Sequence, residues 1–264
     1  MSFSKGEGWL LGVSIAMFGV ASTYALMRIL NPKPTEQKNR ETVTLSKTLS
    51  SEGISAITVP MTTKSFYDDT ASKANKVKMD SIYSKYKTTI DLIATINKIP
   101  PQLITAIIFL ESGGKEIPNS STKIVGLMQL GVNGMTDVIT MERKKGNLTE
   151  AEKVILKRNL GTTKYNKVMA AKIGDSFLTS SECLKPELNI LLGTMLFMLI
   201  YDREKKKMSV GRLDRTIIAY NRGFYSKIPD GDTNSLIANS VLPLETRSYI
   251  TKFVGNKGAL DVLV

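Results

Sequence analysis

The chain has 264 residues, 42% hydrophobic and 23% charged, and its 36 Lys and Arg against 24 Asp and Glu give a formal charge of +12. That is enough apolar material for a real core, and the positive excess points to an anionic partner (nucleic acid, membrane surface or wall polymer), although lysines that merely solvate helices produce it too. There is no histidine and a single cysteine, Cys183, which excludes Ser-His-Asp and Cys-His catalysis, imidazole-based zinc hydrolysis and any internal disulfide; chemistry must come from carboxylates, hydroxyls, amides or lysines.

Residues 9–27, "WLLGVSIAMFGVASTYALM", carry no charge and lie between Glu7 and Arg28. About twenty apolar residues cross a bilayer core, so residues 1–30 are expected to form an uncleaved, single-pass transmembrane anchor. A buried core helix and a cleaved signal peptide are the alternatives, the latter disfavoured because the apolar run is long for one. Arg28, Lys33, Lys38 and Arg40 follow the span and only Lys5 precedes it. The positive-inside tendency then puts the body on the cytoplasmic side. Residues 31–77 begin rich in Ser, Thr, Lys and Glu with Pro32, Pro34 and Pro60, and read as a flexible tether with a short strand at "ISAITVP".

From residue 78 to 264 the pattern is helical, and the expected class is mainly α. Ile82, Tyr86, Ile90, Ile93 and Ile96 recur at spacings of three and four, one stripe of an amphipathic helix. Pro100-Pro101 breaks it, proline being tolerated at a first helical turn, and the next helix is the stretch "ITAIIFLESGG", closed by Gly113-Gly114. "TEAEKVILKRNL", with Thr149 as its cap, "PELNILLGTMLFMLIYDREKKK", "GRLDRTIIAYN" and "LPLETRSYITKFVG" are further helices. Few segments alternate with period two, and no internal repeat is visible.

The second helix poses a chemical question. Ile104, Ile107, Ile108 and Glu111 share one face, which ends a buried stripe in a carboxylate. Glu111 is either a helix-end acid that escapes to water or one held dry on purpose. Five ordered motifs bear on the choice: "LESGG" at 110–114, "GLMQL" at 126–130, "PELNILLGT" at 186–194, "AYNRG" at 219–223 and "LPLETRSYITKFVG" at 242–255.

In that order, over about residues 80–255, these motifs resemble the soluble lytic transglycosylase (SLT) family of lysozyme-like, goose-type enzymes that cleave peptidoglycan. The resemblance implies a lysozyme-like helical domain at 78–264 behind the N-terminal transmembrane helix. It implies Glu111 as the catalytic acid and base, with Ser120, Gln129, Tyr220, Asn221, Glu245 and Tyr249 as substrate-binding residues. It implies no cofactor and no metal. It further implies that one Glu protonates the glycosidic oxygen and then deprotonates the muramic C6 hydroxyl, which closes a 1,6-anhydro ring. An internal nucleophile has a high effective concentration, so a second carboxylate can be dispensed with.

Other readings of the same residues stay open. Ser112 is expected to make a structural hydrogen bond. Gln129 and Asn221 could serve turns or caps, Tyr220 the core, and Glu245 an ion pair with Arg247 or Arg222. Lys123 and Ile124 stand where the family has a small Gly-Ala pair, and residues 131–185 exceed the usual spacing. This insertion is expected to hold a helical hairpin over "ERKKGNLTEAEKVILKRNL" that borders the groove and turns positive charge toward the wall, or else to be an exposed structural addition.

The expected partners are peptidoglycan glycan strands, the membrane through residues 9–27, and virion or envelope assembly proteins. No DNA-reading element or aromatic stacking run is visible, so a specific nucleic-acid role is not expected. A cytoplasmic-side body suits a phage virion with an internal membrane better than a bacterial inner membrane. A hydrolase on the same scaffold, or a non-catalytic membrane or virion assembly protein, is the alternative.

Overall fold

The computed structural model describes residues 45–49, 57–117, 123–208 and 211–263, with the side chains of 45–49 and 57–61 not included. The expected anchor at 9–27 and Ser120 therefore lie outside the described residues. Among the described residues no helix is long and apolar enough to cross a membrane.

The described chain is mainly helical, as composition and periodicity predict. A strand β1 (Leu45–Leu49) pairs antiparallel with β2 (Ile57–Ser65) in the register Leu45 to Met61 and Lys47 to Val59. β2 pairs in parallel with the short β5 (Gly255–Asn256) from the far end of the sequence. The strand expected at "ISAITVP" is found in part, as the start of β2, whereas residues 61–77 depart from the expected tether: they continue β2 and form the first turns of helix α1 (Asp69–Asn97). Asp68 caps α1 by accepting from the Ala71 N–H at 2.7 Å. Thr62 adds a tie at 2.6 Å from its hydroxyl to Asn234 Oδ1.

Helix α1 buries Ile82, Tyr86, Ile90 and Ile93, four of the five residues of the predicted stripe, and leaves helical geometry at Tyr86 (φ −112°, ψ 16°). It stops at Lys98 before the two prolines. Pro101 then starts α2 (Pro101–Ser112), whose residues 103–108 are all buried. Gly113 ends it in the left-handed region (φ 62°), and its N–H reaches Phe109 O at 3.0 Å. A two-residue ladder, β3 (Ile124–Val125) with β4 (Leu130–Gly131), frames the next turn.

In place of the expected hairpin the insertion holds three longer helices, α3 (Val132–Lys145), α4 (Glu150–Leu160) and α5 (Thr162–Met169), followed by a single helical turn. α3 and α4 each pack on α5 and on a central helix rather than chiefly on one another. Thr149 caps α4 as predicted, in a full capping box with Glu152. After the single turn α6 (Ser180–Cys183) comes that central helix, α7 (Pro186–Met208), which packs against α1, α3, α4, α6 and α8 (Leu213–Arg222). Its apolar run is core, as expected, with residues 188–195 all buried.

Helices α9 (Thr233–Ala238), α10 (Leu244–Val254) and α11 (Ala259–Leu263) complete the chain. α10 lies against α8, α2 and β2. The α7–α8 junction is fixed by a buried ion pair, Arg215 Nε to Glu204 Oε2 at 3.1 Å. Arg215 also donates to Pro229 O at 2.7 Å, which pins the loop beyond α8.

Candidate active site

Three helices that are distant in sequence bring one carboxyl and two phenols together. Glu111 sits in the last turn of α2, Tyr220 near the end of α8 and Tyr249 midway along α10. The Tyr249 hydroxyl donates to Glu111 Oε1 at 2.5 Å. Tyr220 lies close enough for the Glu111 charge to be felt at its phenol, and its hydroxyl donates to Met128 O at 3.0 Å. Its ring leans on Phe197 of α7, with centroids 6.1 Å apart.

Glu111 as a residue keeps some contact with solvent, but protein atoms surround its carboxyl densely. The surroundings of the carboxyl, rather than the openness of the whole residue, set its acidity. Desolvation of the charged form pushes its pKa up to about 7, against the opposing pull of the Tyr249 hydrogen bond. Among the described residues no second carboxylate and no cation acts on it. Burial pushes both phenols well above the ordinary tyrosine value, and the neighbouring Glu111 charge adds to this. At neutral pH the arrangement is one acid able to hold or yield a proton beside two neutral hydroxyls.

The turn at 126–129 forms the opposite wall. Met128 is fully buried, and Gln129 takes a left-handed backbone (φ 48°) while its Nε2 donates to Gly126 O at 2.6 Å. Its side chain is thus partly spent on its own turn, and it stays half-buried. Asn221, also half-buried, accepts from Thr246 Oγ1 at 3.1 Å, which links the end of α8 to the first turns of α10. Glu245 is exposed one turn before Tyr249 and makes no ion pair with Arg247 or Arg222; the charge it acts on is Lys252. Ser112 is structural, as expected: buried, it donates to Ile108 O at 3.1 Å and accepts from the Gly114 N–H at 3.2 Å.

Sequence reasoning passed over Asn189, the residue that holds this wall. It is fully buried on α7; its Oδ1 accepts from the Met128 N–H at 2.8 Å, and its Nδ2 donates to Val125 O at 3.1 Å and Cys183 O at 2.8 Å. The available signal was an amide inside the apolar run "ELNILLG", which has to find partners when buried. Two glycines make the approach possible. A Cβ on Gly126 would lie 2.2 Å from Asn189 Nδ2, and one on Gly193 would lie 2.4 Å from Met128 Sδ.

The insertion meets the site wall at both of its ends: Gln129 leads through β4 into α3, and Cys183 of α6 accepts from Asn189. Part of its positive charge is taken up by protein partners. Arg143 donates to Met169 O and Ala171 O, Lys164 pairs with Glu182, and Arg158 pairs with Glu187. A cavity of about 480 Å³ at Leu160–Lys167 contains none of the site residues, whereas one of about 170 Å³ abuts the Gly113-Gly114 end of α2. Among the described residues no cluster of His, Cys, Asp and Glu could hold a metal ion, and Cys183 is buried with its thiol pushed up to about 12.

No family model matches this chain, and no curated protein or solved structure is similar to it.

Proposed function

We propose that the protein is a peptidoglycan lytic transglycosylase with a lysozyme-like body. It cleaves the β-1,4 bond between N-acetylmuramic acid and N-acetylglucosamine and leaves a 1,6-anhydro end. The observation that carries the reading is the Glu111 carboxyl, held near pKa 7 by desolvation, within 2.5 Å of the Tyr249 hydroxyl and without a second carboxylate acting on it. The motif series "LESGG", "GLMQL", "AYNRG" and "LPLETRSYITKFVG" supports it further.

In this mechanism protonated Glu111 gives its proton to the glycosidic oxygen as the C1–O bond breaks, and the glucosamine O4 leaves as a hydroxyl. The substrate's own N-acetyl oxygen covers the electron-poor C1. Glu111, now a carboxylate, takes the proton from the muramic C6 hydroxyl as O6 bonds to C1. It ends protonated again, and no water is consumed. A pKa near the working pH suits a group that must act as acid and then as base. Tyr249 holds the carboxyl in place, Tyr220 and Asn189 fix the 126–129 turn beside it, and Gln129, Asn221 and Ser120 offer neutral polar groups to a sugar chain.

In the same proposal residues 9–27 anchor the enzyme in a membrane, and the setting is a phage virion with an internal membrane that must open the host wall. The charge bias around that segment supports it. Mass spectrometry of fragments released from purified sacculi is the test. Anhydro-muramic ends are expected, together with a loss of at least about a thousandfold in Glu111→Gln. Reducing ends would make the enzyme a hydrolase on this scaffold, and an undiminished Glu111→Gln variant would remove the catalytic assignment altogether.

A further inference from the structure

The cavity of about 170 Å³ at the end of α2 lies between that end and one face of α1, and its lining includes Lys78, Ser81, Lys85, Tyr86 and Gly113. Lys78, Ile82 and Lys85 stand at helical spacings on this face. Ile82 comes so close to the Gly-Gly pair that a Cβ on Gly114 would fall 2.5 Å from its Cγ1. Gly113, by contrast, has open space where a Cβ would stand. Two other lysines of α1 are treated differently, although Lys73, like Lys78, is in no ion pair among the described residues. Lys76 and Lys87 each have an aspartate one turn on, Asp80 and Asp91, and are paired with it. Lys78 makes no ion pair among the described residues, and Lys85 makes only a loose one, 3.6 Å to Glu116, which is itself held by the Tyr86 hydroxyl at 2.8 Å. Both lysines are exposed at the mouth of the cavity.

This cavity adjoins the end of the helix that carries Glu111. Two peptide steps separate Glu111 from Gly113, so their Cα atoms are less than about 8 Å apart. In the glycan, the sugar whose C1 reacts at Glu111 also bears, on its C3, the lactyl group and the peptide stem. The stem is anionic, with free carboxylates on its D-glutamyl and diaminopimelyl residues. A volume of about 170 Å³, which is that of five or six liquid waters, admits one carboxylate-bearing residue.

We propose that the cavity formed by α1 and the Gly113-Gly114 turn binds a carboxylate of the peptide stem, with Lys78 and Lys85 as its charge partners, so that the enzyme prefers stem-bearing glycan to naked glycan. This rests on the reading of Glu111 as the cleaving residue. It gives a share of the +12 charge a local purpose: attraction of the stem beside a site that itself contains no cation.

The test uses the full chain and two substrates, intact sacculi and the same sacculi stripped of stems by an N-acetylmuramyl-L-alanine amidase. Lys78→Glu with Lys85→Glu changes two exposed side chains. The expected result is a KM on intact sacculi raised about fivefold to tenfold, less so at high salt, and a change of less than twofold on stripped strands. In parallel, the tripeptide L-alanyl-γ-D-glutamyl-diaminopimelate is titrated into the Glu111→Gln protein, where it should perturb the amide resonances of Gly113 and Gly114, and not in the doubly reversed variant. Equal effects of the charge reversal on both substrates, or none on either, would overturn the proposal while leaving cleavage at Glu111 intact. A parent protein that releases no fragments from either substrate would instead remove the reading on which it rests.

Discussion

Replacing Tyr249 with Phe keeps the ring and deletes one hydrogen bond, the 2.5 Å contact to Glu111 Oε1. That bond is the one influence resisting the rise in the Glu111 pKa, while desolvation drives it upward from 4.5 to about 7. A hydrogen bond to a charged group contributes about 1.5–3 kcal/mol in favourable geometry, and one pKa unit corresponds to about 1.4 kcal/mol. Part of the loss is recovered, because the site is partly open and water can solvate the carboxylate, so the expected rise is about one unit, to roughly 8. In the proposed mechanism the reaction starts from protonated Glu111. The alkaline limb of kcat/KM should therefore fall through pH 7 in the parent and through about pH 8 in Tyr249→Phe, measured by turbidity loss of sacculi in constant-ionic-strength buffers. The variant is slower at its optimum, since its carboxyl is less firmly held, yet it retains a larger fraction of that optimum at pH 8.5. A limb that stays in place or moves to lower pH would show that the Tyr249 hydroxyl does not stabilise the charged carboxylate and would refute the reasoning.

Two further outcomes follow from the same groups. Glu111 has a folded-state pKa raised from 4.5 to about 7, so the folded protein binds the proton more tightly than the unfolded chain does. Stability linked to it is complete below pH 4.5 and is lost as pH rises to about 7, by up to about 3 kcal/mol. Glu111→Gln should therefore match the parent's urea stability near pH 4 and exceed it by about 1–3 kcal/mol at pH 8; a constant difference across that window would contradict the buried-acid reading. Asn189→Ala leaves the Met128 N–H and the Val125 and Cys183 carbonyls without their buried partner. A loss of about 3–5 kcal/mol in urea unfolding and at least a tenfold drop in kcat are expected, and a loss under 1 kcal/mol would mean that the amide is not the brace of the 126–129 turn.

What could be read before the structure followed from local rules. The α1 stripe, Pro101 at the start of α2, Gly113 at its end and the Thr149 cap each follow from a few neighbouring residues, and each is found. Beyond the strand read at "ISAITVP", residues 61–77 were less legible because their order depends on distant partners. β2 pairs with Gly255 and Asn256, and Thr62 reaches Asn234, contacts that leave no periodic trace in "ITVPMTTKS". The first turns of α1 bury only Ser72 and Met79 and so look like polar linker. In the site, Glu111 stood out because an acid ended an apolar stripe, whereas Asn189 was hidden among core residues whose loop partners lie over sixty positions away. Lys123 had looked anomalous beside the acid. It adopts a left-handed backbone (φ 53°), the conformation that favours glycine and costs other residues about 1–2 kcal/mol.

The partners of Glu111 also explain why tyrosines, and not basic residues, surround it. A lysine or arginine within 4–6 Å would lower the carboxyl by about 1–3 units and leave it ionised at neutral pH, unable to protonate a leaving oxygen. A phenol orients the carboxyl through a hydrogen bond without adding charge, and the pKa of both phenols is pushed further up by burial and by Glu111 itself, so they stay neutral wherever Glu111 can act. A chain with an excess of twelve positive charges thus keeps them off its acid, while Lys78 and Lys85 line the cavity at the Gly113-Gly114 end of the acid's helix. Charges at that distance, exposed and screened by salt, can draw an anionic polymer toward the site with little effect on the proton. Moving one of them to within 4–6 Å of Glu111 would lower the carboxyl, so in the proposed mechanism attraction of an anionic strand and proton transfer have to be kept apart.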